Sequence, residues 1–106
     1  MMTAASETHF GVRELDNEQG CLHLQTPDFD YDSFADVAQA LVTVLGASVV
    51  EKEANADLHI WLIDFEGCRM MLKGEHYSAA MWLELLSRDD SDTLAFLASW
   101  LNKLTQ

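Results

Sequence analysis

The stretch from Leu58 to Leu86 carries more apolar side chains than one face of a sheet can use, and that surplus constrains every fold open to the chain. It reads as three consecutive antiparallel strands: Leu58 to Phe65, a turn at Glu66-Gly67, Cys68 to Lys73, a turn near Gly74-Glu75, and His76 to Leu86. Successive side chains on a strand point to opposite faces. In the first of these strands Leu58, Ile60 and Leu62 take one face, and Trp61, Ile63 and Phe65 take the other. The last does the same in part, with Tyr77, Ala79, Met81, Leu83 and Leu85 set against Ala80, Trp82 and Leu86. A solvated antiparallel sheet should alternate apolar and polar.

The rest of the chain supplies cover for one face only. His9 to Leu15 and Cys21 to Gln25 form a first hairpin, joined by the turn-rich Asp16-Asn17-Glu18-Gln19-Gly20. Thr26-Pro27 ends the sheet there, because proline has no N–H for a ladder. A helix follows from about Ser33, with Phe34, Val37, Ala38, Leu41, Val44 and Leu45 at helical spacing and Gly46 at the position that favours a left-handed residue. Acids at 28, 30 and 32 suit the positive end of its dipole. Ala47 to Glu53 is a third strand, and a second helix runs from about Asp92 to Leu104 on a stripe of Leu94, Leu97, Ala98, Leu101 and Leu104. The order β-β-α-β-β-β-β-α predicts an α+β two-layer sandwich, a mostly antiparallel sheet of about six strands with two helices on one face. Residues 1–7 read as a flexible tail and 8–106 as a single domain.

Two helices hide one sheet face, so the second needs another cover. Trp61, Ile63, Met71 and Trp82 are the predicted interaction surface. A homodimer through the sheet is the first expectation for its occupant, followed by a protein partner or a small apolar ligand. Against these stands a self-contained core, with a twisted sheet covered by its own corners, the tail or residues 26–32.

Charge narrows the partners. With 18 Asp and Glu against 6 Lys and Arg, the net charge is −12. Such a field repels phosphate backbones and anionic lipid, so neither nucleic acid nor a membrane surface is expected. A role as acidic decoy for a basic protein is a further expectation. The N-terminus shows neither a basic nor an apolar signal region, and no apolar run reaches spanning length, which predicts a cytoplasmic protein with Cys21 and Cys68 reduced.

No motif carries chemistry. Asp28-x-Asp30-x-Asp32 lacks the Gly and Glu of a calcium loop, since Ser33 and Gln39 stand at those places. Cys21, His23, Cys68, His59 and His76 lack the paired spacing of a zinc site. Cys68 stands next to Arg69, which would lower its pKa, but no base is placed beside it. Asp64 and Glu66 read as turn-forming acids. The expectation is no metal, no cofactor and no catalytic residue. A small-ligand binder or enzyme with a pocket between helix and sheet is the alternative.

At TPDFDYDSF (26–34), HIWLIDFEG (59–67) and EHYSAAMWLE (75–84) the chain resembles a family of small, uncharacterised gammaproteobacterial proteins of about one hundred residues. The resemblance implies a bacterial, cytosolic, single-domain protein and transfers no activity.

Overall fold

A computed structural model describes residues 10–104. The expected tail, 1–7, lies outside them. The sheet has six strands: β1 (Gly11–Asp16), β2 (Cys21–Gln25), β3 (Ser48–Ala54), β4 (Leu58–Phe65), β5 (Cys68–Glu75) and β6 (Ala80–Leu85). Two helices, α1 (Phe34–Leu45) and α2 (Ser91–Leu104), complete an α+β fold in the predicted order. The strands lie in the order β1-β2-β6-β5-β4-β3, and every neighbouring pair is antiparallel. The first hairpin therefore docks beside β6, at the far side of the sheet from β3.

Both helices cover the same face, at opposite ends. α1 packs against β3 and β4, and α2 packs against β1 and β2. Their stripes (Phe34, Ala38, Leu41, Val42 and Leu45 on α1; Leu94, Leu97, Ala98 and Leu101 on α2) join the inward strand residues in one core. The start of α1 is fixed by a reciprocal clasp. Asp30 N–H donates to Ser33 Oγ at 2.9 Å, and Ser33 N–H donates to Asp30 Oδ1 at 2.8 Å. Its end is Gly46 at φ 71°, in the left-handed region that favours glycine.

The deepest contact of α1 is made by its first residue. The Phe34 ring is fully buried and lies directly over Gly74 of β5. A Cβ on Gly74 would stand 2.1 Å from Phe34 Cε1. This corrects the reading of Gly74 as a turn residue: it is a strand residue, paired with His59 and Met81, and its missing side chain is the seat of the ring. The turn falls later, over 76–79. There Glu75 accepts from the backbone N–H groups of Tyr77 and Ser78 at 3.2 and 3.0 Å and from the Ser78 hydroxyl, and Ala79 takes φ 54°. Tyr77, expected on a strand, is instead in this turn and 75% exposed.

The two-residue turn Glu66-Gly67, both at positive φ, sets the register of β4 against β5. The Asp64 side chain accepts the Gly67 N–H at 2.9 Å and closes it. Trp61 then faces Leu72, and Leu62 faces Met71.

The Phe34–Gly74 seat leads to a testable outcome. Gly74→Ala forces the ring from its place and should destabilise the protein by about 1–3 kcal/mol, as overpacking does. In a Phe34→Leu background the same substitution should cost much less. Urea unfolding of the four proteins of this cycle measures the coupling, and strictly additive costs would rule the seat out.

Candidate functional site

Cross-strand partners share a face, so the register sorts the four predicted surface residues. Trp61 and Ile63 point into the core, at 3% and 0% exposure. They are not on the outer face, and this corrects their assignment to it. Lys52 lies over the Trp61 ring, its Nζ 4.3 Å from the centroid, and covers the indole from the β3 side. Met71 and Trp82 do lie on the opposite, helix-free face, both half-buried. Their apolar companions there are Leu58, Ile60 and Leu62, the alternate residues of β4.

Two rows of side chains cross this outer face. One runs Glu51, Leu62, Met71, Glu84, Cys21, Asp16, and the next runs Glu53, Ile60, Lys73, Trp82, His23, Glu14. Each row is apolar in part and ends in carboxylates at both sheet edges. Near the middle, Lys73 Nζ pairs with Glu84 Oε2 at 3.1 Å, and the Trp82 indole N–H donates to Glu84 Oε1 at 3.3 Å. On the β3 side a shallow groove of about 320 Å³ is lined by Glu51, Glu53, Ile60, Leu62, Met71 and Leu86. Leu86, just past β6, is 52% exposed.

Two other places hold polar groups in number. A cleft of about 500 Å³ opens where β1, β2 and β6 meet the 76–79 turn, lined by Arg13, Glu14, His23, Thr26, Asp28 and Ser78 among others. It sits at strand ends, not between helix and sheet as expected. The second place is an aromatic cluster over the inner face. His59 is buried and stacks on Phe34, with centroids 4.5 Å apart and planes 7° apart. The Tyr31 ring is 4.5 Å from His59 and 5.3 Å from His76, closing the cluster from the loop before α1. His59 Nε2 and His76 Nδ1 are buried without hydrogen-bond partners. Sequence alone missed this cluster, because the loop that supplies Tyr31 is far from His59 along the chain.

The thiols are placed apart. Cys21 is on the outer face, paired with Asp16 and Glu84, while Cys68 packs against the core, and both are free. Burial and then Glu84 push the Cys21 thiol up, and burial and then Asp90 push the Cys68 thiol up. Arg69, expected to lower Cys68, instead reaches Asp64, Nε to Oδ2 at 3.8 Å. The five residues weighed as a zinc set do not converge: His23 lies on the outer face, while His59 lies on the inner with His76 beside it. Among the described residues no three metal-ligating side chains converge, and no helix is long and apolar enough to cross a membrane.

Residues 10–102 match the family described as "Protein of unknown function (DUF3630)". No curated protein matches the chain, and no solved structure does.

The histidine cluster sets a pH dependence. Burial, and then the neighbouring His76, hold His59 below its ordinary value of 6.5, with a backbone hydrogen bond to Tyr31 opposing them. The fold thus favours the neutral ring. Its contribution to stability is complete above about pH 6.5, where the unfolded chain is also neutral, and is lost as pH falls through the lower folded value. His59→Phe keeps a ring against Phe34 and removes the titration. Urea unfolding at stepped pH should show the variant losing less stability than the parent below about pH 6.5; parallel losses would assign the acid sensitivity elsewhere.

Proposed function

We propose that this chain, which belongs to the DUF3630 family, is a non-enzymatic protein-interaction module that binds through the outer face of its sheet. The observation that carries this reading is the apolar strip of Leu58, Ile60, Leu62, Met71 and Trp82 on a face that no described helix crosses. Such a strip is the expected surplus of the meander, shifted by the register onto the alternate residues of β4. Apolar patches of this kind, rimmed by polar side chains and bearing Trp and Met, are typical of binding surfaces. A homodimer and a second protein are both occupants that the surface would admit.

The same proposal takes the protein to be gammaproteobacterial and cytoplasmic. The two free thiols support a reducing compartment. Their elevated pKa values favour the unreactive protonated form, which supports a role in binding over nucleophilic chemistry. The polar cleft at the ends of β1, β2 and β6 supports a second reading, a small polar ligand held beside the 76–79 turn. Ala79, a non-glycine residue at φ 54°, forms part of its wall, and such backbone positions concentrate at functional sites.

A photo-crosslinking amino acid separates the two. Placed at Met71 in the full chain, it should give a discrete protein adduct in cells, identified by mass spectrometry as a second copy or another protein. Leu62→Glu, beside it, should abolish the adduct while leaving a cooperative thermal unfolding transition. The same group at Ala95, exposed on α2, should give no such adduct. If Met71 yields nothing discrete while a metabolite raises the melting temperature through Ser78 or His23, the cleft is the functional site instead.

A further inference from the structure

We infer that the β3 side of the outer face receives lysine or arginine side chains of a partner protein, with Glu51 and Glu53 holding their charged heads. This rests on the interaction-module reading and names the partner class for that surface. The groove has an apolar floor of Ile60, Leu62 and Met71, with Leu86 also lining it. Its β3 wall is Glu51, opposite Leu62, and Glu53, opposite Ile60. A long basic side chain matches that layout. Its methylene stem lies on the apolar floor while its head stays at the wetter rim, against a carboxylate.

Among the described residues the two carboxylates have no internal use. The cations nearest them on the face, Arg69 and Lys73, are engaged by Asp64 and Glu84. Among the described residues neither side-chain carboxylate has a cationic partner or a hydrogen bond. Lys52, between them in sequence, turns to the other face and covers Trp61. The groove therefore offers net negative charge beside apolar surface, on a chain whose total is −12.

The same charges weigh against a second copy as occupant. Face-to-face pairing would bring Glu51, Glu53, Glu14 and Asp16 of one copy against the acid-edged face of the other. Contacting carboxylates lie well inside the screening length of about 8 Å at physiological salt. Like charges brought together at an interface are strongly disfavoured, whereas a basic partner gains affinity and association rate from the same field.

The probe is a synthetic amphipathic peptide alternating leucine and lysine, with a leucine–glutamate peptide as control, titrated into the isotopically labelled full chain at physiological salt. The expected result is saturable amide shifts confined to the middle of β3, β4 and β5, around Glu51, Glu53, Ile60, Leu62 and Met71, with the lysine peptide only. Glu51→Gln with Glu53→Gln should weaken binding about tenfold, a loss typical of removing paired interface charges. Asp36→Asn with Asp92→Asn, removing two exposed carboxylates from the helices, should leave it unchanged. Equal weakening by both pairs would reduce the effect to net charge and overturn the inference. Equal binding of both peptides at the face, or a doubled mass in light scattering that Leu62→Glu abolishes, would overturn the basic partner and leave the interaction module standing. A strict monomer that binds neither peptide, and gives no adduct at Met71, would remove both.

Discussion

The ring of Phe34 resting on the bare backbone of Gly74 is the contact on which the arrangement depends. Phe34 opens α1, so its position fixes where the helix starts over the sheet. Three further rings use it: His59 stacks on one side, Trp61 meets it edge-on at 5.6 Å, and Phe29 does the same at 5.4 Å. Aromatic pairs of this kind add specificity beyond the area they bury. The Asp30–Ser33 clasp immediately before the helix holds the approach of the chain, so the loop carrying Phe29 and Tyr31 is pinned between that clasp and a filled core. Burying His59 here leaves one ring nitrogen unpaired. The cluster therefore joins the packing of α1 to the protonation of a histidine.

Seating α1 at the β3–β4 end, with α2 at the β1–β2 end, uses up the inner face. Every strand side chain of the other parity is left to a single layer. The sheet answers with charge at its edges and apolar residues on β4, β5 and β6. Edge strand β3 carries Glu51, Lys52 and Glu53, with a register shift between Val49 and Glu51, and both devices discourage another strand from adding to it. The β3 edge is thus protected against edge-to-edge association, while Leu58, Ile60, Leu62, Met71 and Trp82 leave apolar surface on the face. On the proposed function, docking onto the face is favoured over extension of the sheet at β3.

Much of this was legible in the residues. The order of elements, the stripe of α1 and its stop at Gly46 follow from periodicity and from the need for a left-handed residue. The partition of the meander between faces was also within reach. A two-residue turn at Glu66-Gly67 pairs Phe65 with Cys68, which puts Met71 opposite Leu62 and away from Trp61. By that register the two indoles, Trp61 and Trp82, fall on opposite faces. What no local pattern carried was the role of Gly74, since a glycine beside a glutamate reads as a turn unless the ring lying over it is known. The upward shift of the Cys68 thiol was hidden for a similar reason. Arg69 is its neighbour in sequence but belongs to the other face of the strand, where it meets Asp64.

The centre of the outer face holds an ion pair, and this shapes what the face can accept. Lys73 is only 18% exposed at its side chain, a costly place for an ammonium without a partner. Glu84 supplies the partner with one oxygen and takes the Trp82 indole N–H with the other. A part-buried pair of this sort is weak evidence for stability, because desolvation offsets most of its attraction. Its effect is instead to cancel charge in the middle of the face and to hold the indole in one orientation. The surviving negative charge is displaced to the margins, to Glu51 and Glu53 on one edge strand and Glu14 and Asp16 on the other. An occupant of the kind proposed would meet a neutral, largely apolar centre and carboxylates at its sides, and that distribution suits an apolar segment flanked by basic residues better than a uniformly cationic one.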